Sequence, residues 1–257
     1  MKQLLIIPSV DALQEISKLA KDYSLGYEYN EFFVPSVLDD ENKIDEIIRQ
    51  YDSIDKPKYC TMHGAFFDVI PFSLDEKIKE VANLRIEQSI EIAKRIGASA
   101  VVFHTNFNPF LNSEEYIDKW IDVNKEYWTR VLEKYTDISI YLENMFDTTP
   151  DVIERLSKEL CKYENYGVCL DYAHAALSKV NPEIWAEKLG KYVKHVHIND
   201  NDLVSDLHLA WGDGKINRAK FYECYEKYLK KATILIETNS YENIDKSLKV
   251  LKEEGFI

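Results

Sequence analysis

Eight short runs rich in Ile, Val and Tyr recur along the chain, each separated from the next by a longer stretch of helical period. This alternation constrains the fold more than any other feature. The runs are 3–7, 25–29, 58–63, 98–104, 138–143, 166–171, 193–198 and 233–237. Runs of Val and Ile without polar alternation suit strands covered on both faces, as in parallel sheets. The intervening stretches carry helix start signals. Ser73 to Glu76 and Asn112 to Glu115 read as capping boxes, and Thr149 and Asn181 read as caps that precede Pro150 and Pro182 at a first helical position. Tyr116, Trp120, Tyr127, Val131 and Tyr135 form a stripe at helical spacing, which reads as a core-facing surface. Pro8, Pro35, Pro71, Pro109 and Pro150 each follow a run, where a loop must turn into a helix. Eight strand–helix units in 257 residues is the size of a (β/α)8 barrel. A doubly wound open sheet is the alternative, but the chain has only 8 glycines and neither a GxGxxG nor a P-loop pattern. With no linker-like, repetitive or low-complexity segment, residues 1–257 read as a single (β/α)8 TIM barrel domain, an α/β fold.

The net charge of −13 disfavours nonspecific binding to DNA or to an anionic membrane. No apolar run approaches the length of a membrane span, and the stretch from Leu4 to Ile7 is too short for the apolar part of a signal peptide. Cys60, Cys161, Cys169 and Cys224 are far apart and form no CxxC, so free thiols and a cytoplasmic location are expected. Strand parity turns Cys60 toward the helix layer and Cys169 into the barrel below Asp171, both as core thiols.

Chemistry collects at the ends of the runs. His63 ends the third and His104 the fourth. Glu143 ends the fifth. Asp171 ends the sixth, with His174 three residues on. His197 sits near the end of the seventh, Asp206 and His208 lie in the loop beyond it, and Glu237 ends the eighth. In a barrel these ends converge on one face, where barrel active sites lie. Imidazoles and carboxylates gathered there are ligand types for zinc, manganese or cobalt. One such residue at a strand end is more often a hydrogen-bonded structural group. Nine of them at the same end of six consecutive strands are much harder to read that way. His195, one layer below His197, is expected to be structural.

These residues resemble the xylose isomerase-like barrel superfamily, which holds sugar isomerases and epimerases together with endonuclease IV. The resemblance covers almost the whole chain and rests on the motifs after strands 3 to 8. It implies one divalent metal held by Glu143, Asp171, His197 and Glu237, as in the sugar enzymes. The nine-ligand set of endonuclease IV, which holds three zinc ions, is also matched in type, by His63, His104, Glu143, Asp171, His174, His197, Asp206, His208 and Glu237. In that case His174, Asp206 and His208 would hold one ion. Sugar enzymes of the superfamily often keep histidines at several of these places, and a His before a Gly-x-Gly such as Gly212 to Gly214, so the ligand set implies the superfamily more firmly than the reaction.

The loops discriminate between the reactions. Their cations are few, chiefly Lys43, Lys179 and Lys215, and their acids many, among them Asp39, Asp40, Glu41, Asp68, Asp147, Asp200, Asp202 and Asp213. A DNA enzyme should neutralise phosphates with Lys or Arg. Strand 1 also ends in Ile7-Pro8-Ser9, without the Gly-x-His expected there in endonuclease IV. Phe32, Phe33, Phe66, Phe67, Phe72, Phe107, Phe110, Phe146 and Trp211 crowd the same loops and suit a water-excluding pocket for a small ligand with few charges. No Arg or Gly-rich cradle favours a phosphorylated sugar. The expected function is therefore a divalent-metal-dependent (Mn, Co, Mg or Zn) isomerase or 3-epimerase of a keto sugar or related polyol. The metal would bind the carbonyl and a neighbouring hydroxyl. Glu143 and Glu237, on opposite faces, would remove and return the adjacent proton, and His174 would hold a substrate oxygen or a second metal. The alternative is an endonuclease IV-like zinc phosphodiesterase with up to three Zn acting on abasic-site DNA. A catalytically silent sugar-binding barrel is a third reading, disfavoured by the full ligand set. Tyr-rich helix surfaces are compatible with a homo-oligomer.

Overall fold

The computed structural model describes residues 2–66, 69–238 and 240–257. Phe67 and Asp68, counted above among the loop residues, lie outside them. Each expected run forms a strand: β1 Leu4–Ile6, β2 Gly26–Tyr29, β3 Cys60–His63, β4 Ala100–His104, β5 Ser139–Glu143, β6 Tyr166–Asp171, β7 Val193–Ile198 and β8 Thr233–Ile236. All neighbours pair in parallel, and β8 closes on β1 with Leu4, Leu5 and Ile6 opposite Ile234, Leu235 and Ile236. The strands are a closed barrel in chain order, as the alternation of elements requires.

The outer layer consists of α1 Leu13–Tyr23, α2 Pro35–Leu38, α3 Glu41–Asp52, α4 Glu76–Ile96, α5 Glu114–Lys134, α6 Asp151–Leu160, α7 Tyr172–Leu177, α8 Pro182–Leu189, α9 Arg218–Cys224 and α10 Tyr241–Glu253. In α5 the expected stripe is the buried face: Trp120, Tyr127 and Val131 are buried, Tyr135 just beyond the helix is too, and Tyr116 packs at the edge. Three caps differ from expectation. Asp75, not Ser73, caps α4 by accepting from Lys77 N, while Ser73 Oγ accepts from Asp75 N. Ser113, not Asn112, caps α5. Thr149 Oγ1 accepts from Asp151 N, but Pro150 occupies the cap position of α6. Asn181 and Pro182 start α8 as expected.

Side chains alternate across each strand, so every second residue points into the barrel. There Leu5, Ile7 and Leu235 form one apolar cluster, and Ala100, Val102, Tyr141 and Cys169 another. They form the floor beneath the strand ends. Among the described residues no helix is long and apolar enough to cross a membrane.

Candidate metal centre

The barrel brings all nine candidate residues to one mouth. Glu143 is fully buried and sits at the middle of the group. Its Oε2 lies 3.4 Å from His63 Nε2 and 3.5 Å from His104 Nε2. Its Oε1 lies 3.4 Å from His197 Nδ1 and 3.6 Å from His174 Nδ1. His197 Nδ1 is also 3.5 Å from Glu237 Oε1. Asp206 Oδ2 bridges His174 Nε2 at 3.2 Å and His208 Nε2 at 3.1 Å.

Local structure explains these placements. The Asp-x-x-His spacing is a helix cap: Asp171 ends β6 and caps α7, its Oδ1 accepting from His174 N at 2.5 Å. That contact consumes one carboxylate oxygen and leaves Oδ2 facing the mouth, 3.6 Å from His174 Nδ1. Asn144 locks the neighbouring strand end, accepting from Asp171 N and donating to Asp171 O. The loop after β7 is shaped by Asp200, whose carboxylate accepts from Asn201 N, Gly212 N and Ile216 N. Gly212 has φ 103°, and a Cβ on Gly214 would lie 2.3 Å from Asp200 Oδ1, so this turn needs both glycines. His208 itself has φ 46°, a left-handed conformation uncommon for a residue with a side chain.

Several buried polar atoms here have no hydrogen-bond partner: both Glu143 oxygens, Asp171 Oδ2 and His197 Nδ1. Leaving one such group unpaired costs about 1–3 kcal/mol, more when it is charged. At the mouth, three residue sets bring ligand atoms close enough to share an ion: Glu143, Asp171 and His197; His63, His104 and Glu143; and His174, Asp206 and His208. The converging orphaned carboxylate and imidazole atoms fit a divalent cation in donor type.

The electrostatics follow from burial and from opposite charges in contact. Burial would raise Glu143, but His197 and His104 outweigh it and hold the carboxyl well below its ordinary range. Glu237 is held down to about 2, His197 and His208 overcoming burial. Asp171 is pushed up to about 8 by burial, with Glu237 and Glu143 adding to the rise. Burial lowers His104 to about 3. Burial opposes charge on His208 as well, but Asp206 and Glu237 raise it to about 10. His174 and His197 rise well above the ordinary range, against burial, through Asp171 and Cys169 respectively and the surrounding carboxylates. The cluster thus balances its carboxylates with protons held on imidazoles, the same positions a cation would neutralise.

Above the centre is a cavity of 230 Å³ lined by Asn30, Phe33, His63, Phe66, His104, Met145, His174, Asp206, His208 and Glu237. No Lys or Arg lines it among the described residues. Its volume is below the about 300–1,000 Å³ of drug-sized ligand sites. Of the loop aromatics expected to form the pocket, only Phe33 and Phe66 line it among the described residues. Phe32 and Trp211 are core, Phe72 and Phe107 pack on Trp120, and Phe110 and Phe146 face solvent.

Sequence reasoning missed Glu28, in mid-strand on β2. It is buried, with Oε1 3.1 Å from His197 Nε2 and Oε2 3.1 Å from His195 Nε2. Burial would raise its carboxyl, but His197 and His195 hold it well below the usual range. The available signal was a lone Glu in a Tyr-rich strand at inward parity. Asn199, whose Nδ2 donates to Glu237 Oε2 at 3.3 Å, was missed as well. His195 is buried under the mouth, its Nδ1 2.6 Å from Thr233 Oγ1.

Comparison with known proteins places this geometry. A family model described as xylose isomerase-like TIM barrel matches residues 18–254. MJ1311, an uncharacterized protein of Methanocaldococcus jannaschii, is 30% identical over 203 residues, which is 75% of this chain and 68% of that protein. Among solved structures, the TTHB071 protein of Thermus thermophilus, soaked with ZnCl2, superposes with a TM-score of 0.78 at 20% identity, covering 100% of this chain and 98% of that one. A D-tagatose 3-epimerase-like protein gives 0.74 at 24% identity, covering 98% and 96%.

Proposed function

The chain belongs to the xylose isomerase-like TIM barrel family, and from that premise we propose that it is a divalent-metal-dependent isomerase or epimerase of a keto sugar or related polyol. The observation that carries this reading is the set of orphaned ligand atoms on Glu143, Asp171 and His197 beneath a small cavity free of lining cations among the described residues. Glu143, Asp171, His197 and Glu237 would hold the ion. When bound, it would act as a Lewis acid that polarises the substrate carbonyl and an adjacent hydroxyl.

The chain's own groups do the rest. Glu143 and Glu237 are held ionised by their histidines. One takes the proton from the carbon beside the carbonyl and the other returns it on the opposite face. His63, His174 and His208 line the cavity with Asn30 and Asp206, a ring of donors and acceptors suited to sugar hydroxyls. Phe33 and Phe66 cover one side and limit water. The similarity to a D-tagatose 3-epimerase-like protein supports the substrate class through the shared fold.

The test is incubation of purified protein with ketopentoses and ketohexoses in D2O, with Mn, Co, Mg or Zn added in turn. Metal-dependent deuterium incorporation beside the carbonyl is expected. One specific observation favours a second reading, a three-zinc phosphodiesterase: Glu143 belongs to two of the three potential ion sets at the mouth, and His174, Asp206 and His208 complete the third. The absence of Lys and Arg from the described cavity lining weighs against phosphate contacts. Three bound zinc ions, with cleavage of an abasic-site duplex and no deuterium exchange, would reverse the preference.

A further inference from the structure

Five histidines of the mouth bring ring nitrogens within 3.7 Å of a carboxylate, and for four of them a further partner decides which nitrogen carries the proton. For His63, His174 and His208 the partner is the main chain. Their Nδ1 atoms lie 2.9 Å from Gly64 O, 2.9 Å from Asn144 O and 3.2 Å from Glu237 O. A carbonyl only accepts, so Nδ1 carries the proton and donates, and Nε2 is left for the mouth. His197 is reversed. Its Nδ1 faces Glu143 and Glu237, and its Nε2 points down into the barrel, where the group at 3.1 Å is Glu28 Oε1.

Glu28 is 1% exposed and reaches into the barrel from β2. A buried carboxylate survives only where donors meet it. Thr61 Oγ1 donates to Oε2 at 2.6 Å, and His195 Nε2 lies 3.1 Å from the same oxygen. His195 Nδ1 is 2.6 Å from Thr233 Oγ1, whose other contact, to Lys194 O, is longer at 3.4 Å. One proton arrangement satisfies this chain of contacts. The Thr233 hydroxyl donates to His195 Nδ1, the His195 Nε2–H faces Glu28 Oε2, and Oε1 is kept for a proton on His197 Nε2. Neither imidazole N–H is well aligned with its oxygen, so the attraction is electrostatic more than directional.

We propose that Glu28 is a positioning residue for the centre above it: it holds His197 with the proton on Nε2, makes Nδ1 the nitrogen offered to the cation, and sets one fixed negative charge beneath the ligands. It touches neither cation nor substrate. The inference rests on the reading of the mouth as a metal centre. Outer carboxylates of this kind change metal affinity by about 10–100-fold when removed.

The test uses the full chain with Zn2+ for affinity and 113Cd2+ for spectroscopy. Glu28→Gln keeps the volume but loses the charge and turns an amide N–H2 toward a donor. It should bind Zn2+ about 10–100-fold more weakly in calorimetric titration. Ser157→Ala, which removes a buried hydroxyl bonded to Tyr166 and Ile153 away from the mouth, controls for general loosening and should bind within about threefold of the parent. In 113Cd-loaded parent protein, long-range 1H–15N spectra should show cadmium coupling to His197 Nδ1 and a proton on Nε2. Coupling to Nε2 would overturn the proposal even if Glu28→Gln failed to fold. Equal Zn2+ affinity in parent and Glu28→Gln would overturn it while leaving the metal centre standing. Equal weakening in Ser157→Ala would reduce Glu28 to a packing role. A parent chain that binds neither ion would overturn the metal reading and this proposal together.

Discussion

The barrel interior holds two adjacent layers of buried carboxylates and imidazoles, and they behave differently. In the lower layer Glu28, Thr61, His195 and Thr233 are linked one to the next by contacts of 3.1 Å or less. In the upper layer Glu143, Asp171 and His197 are equally buried, yet the charged groups they face across the mouth stand at 3.4–3.6 Å and four of their atoms there have no hydrogen bond. Residue type and burial do not separate the layers. Satisfaction does. Trp120 Nε1 and Tyr27 Oη are orphans away from the mouth. At the mouth such atoms converge, and their combined cost is a sizeable part of the about 5–15 kcal/mol by which a domain is stable. Under the proposed function a bound cation would compensate such an arrangement. On that proposal the lower layer is scaffold and the upper layer is the site.

The sharpest way to break this comparison is to substitute the upper layer. Glu143→Gln and Glu237→Gln should each lower kcat for solvent deuterium exchange by about 10²–10⁴, the span of general acid–base contributions. The loss of unfolding free energy in the metal-free protein should be smaller for Glu143→Gln, whose oxygens accept no hydrogen bond, than for Glu237→Gln, which loses the charge that accepts from Asn199 Nδ2. A Gln variant that unfolds readily but turns over normally would reverse the assignment of the two layers.

The lower layer should answer in the opposite sense. His195→Phe removes one partner of the buried Glu28 carboxylate, and leaving a buried group short of a partner costs about 1–3 kcal/mol, more when it is charged. Urea unfolding should show that loss, while turnover falls far less than in the glutamine variants. Equal damage to both would mean that the layers work as one unit.

What could be read beforehand follows the same division. The clustering of the mouth residues was legible because most stand at the end of a Val- or Ile-rich run, where local pattern and barrel geometry coincide. Asp171 and His174 were legible even in spacing, because a helix cap fixes it. Glu28 was not, since its partners come from β3 and β7 and nothing adjacent in sequence announces them. The helix starts at Asp75 and Ser113 were misplaced by one or two residues, where capping residues stand close together and only the backbone path chooses between them. The aromatic loops misled for a related reason. Phe32, Phe107 and Trp211 lie in segments that dip into the core, so their side chains seal helices rather than line the cavity.

Proton linkage sharpens the comparison further. In the metal-free protein His208 rises from 6.5 to about 10, and His174 and His197 shift the same way. The folded state therefore holds more protons than the unfolded chain between those values. This stabilisation is fully present below about pH 6.5 and is lost as pH climbs toward 10. Asp171, raised to about 8, moves stability in the same direction over the lower part of that window. The melting temperature of chelator-treated protein should fall by several degrees across pH 6.5–10, at roughly 2–4 °C per kcal/mol for a chain of this size. Saturating Zn2+ should displace these protons and flatten the curve, adding about 2.7 kcal/mol at one hundred times its Kd. A metal-free protein whose stability rises through this window would contradict the proton distribution of the upper layer.

The smallest effect is expected at the rim of the mouth, and it separates the two reactions. Asp206 is partly exposed, and its Oδ2 contacts His174 and His208 alone among the mouth ligands. Under the one-metal reading this trio meets substrate hydroxyls, so Asp206→Asn removes one charge-assisted contact from an open position. A hydrogen bond to a charged group is worth about 1.5–3 kcal/mol net and a neutral one about 1, so with the Asn oxygen still accepting the loss is about 1 kcal/mol, or roughly fivefold. A uniform-binding loss of that size raises KM and leaves kcat unchanged. Bound metal per chain, measured by plasma emission after dialysis, should then be one in both the parent and the variant. Under the three-zinc reading the same substitution removes a ligand from an ion held by only three side chains of this set. Metal content would drop from three to two and kcat would collapse. A change in KM alone with constant metal content places Asp206 at the substrate, and a lost ion places it in the metal cluster.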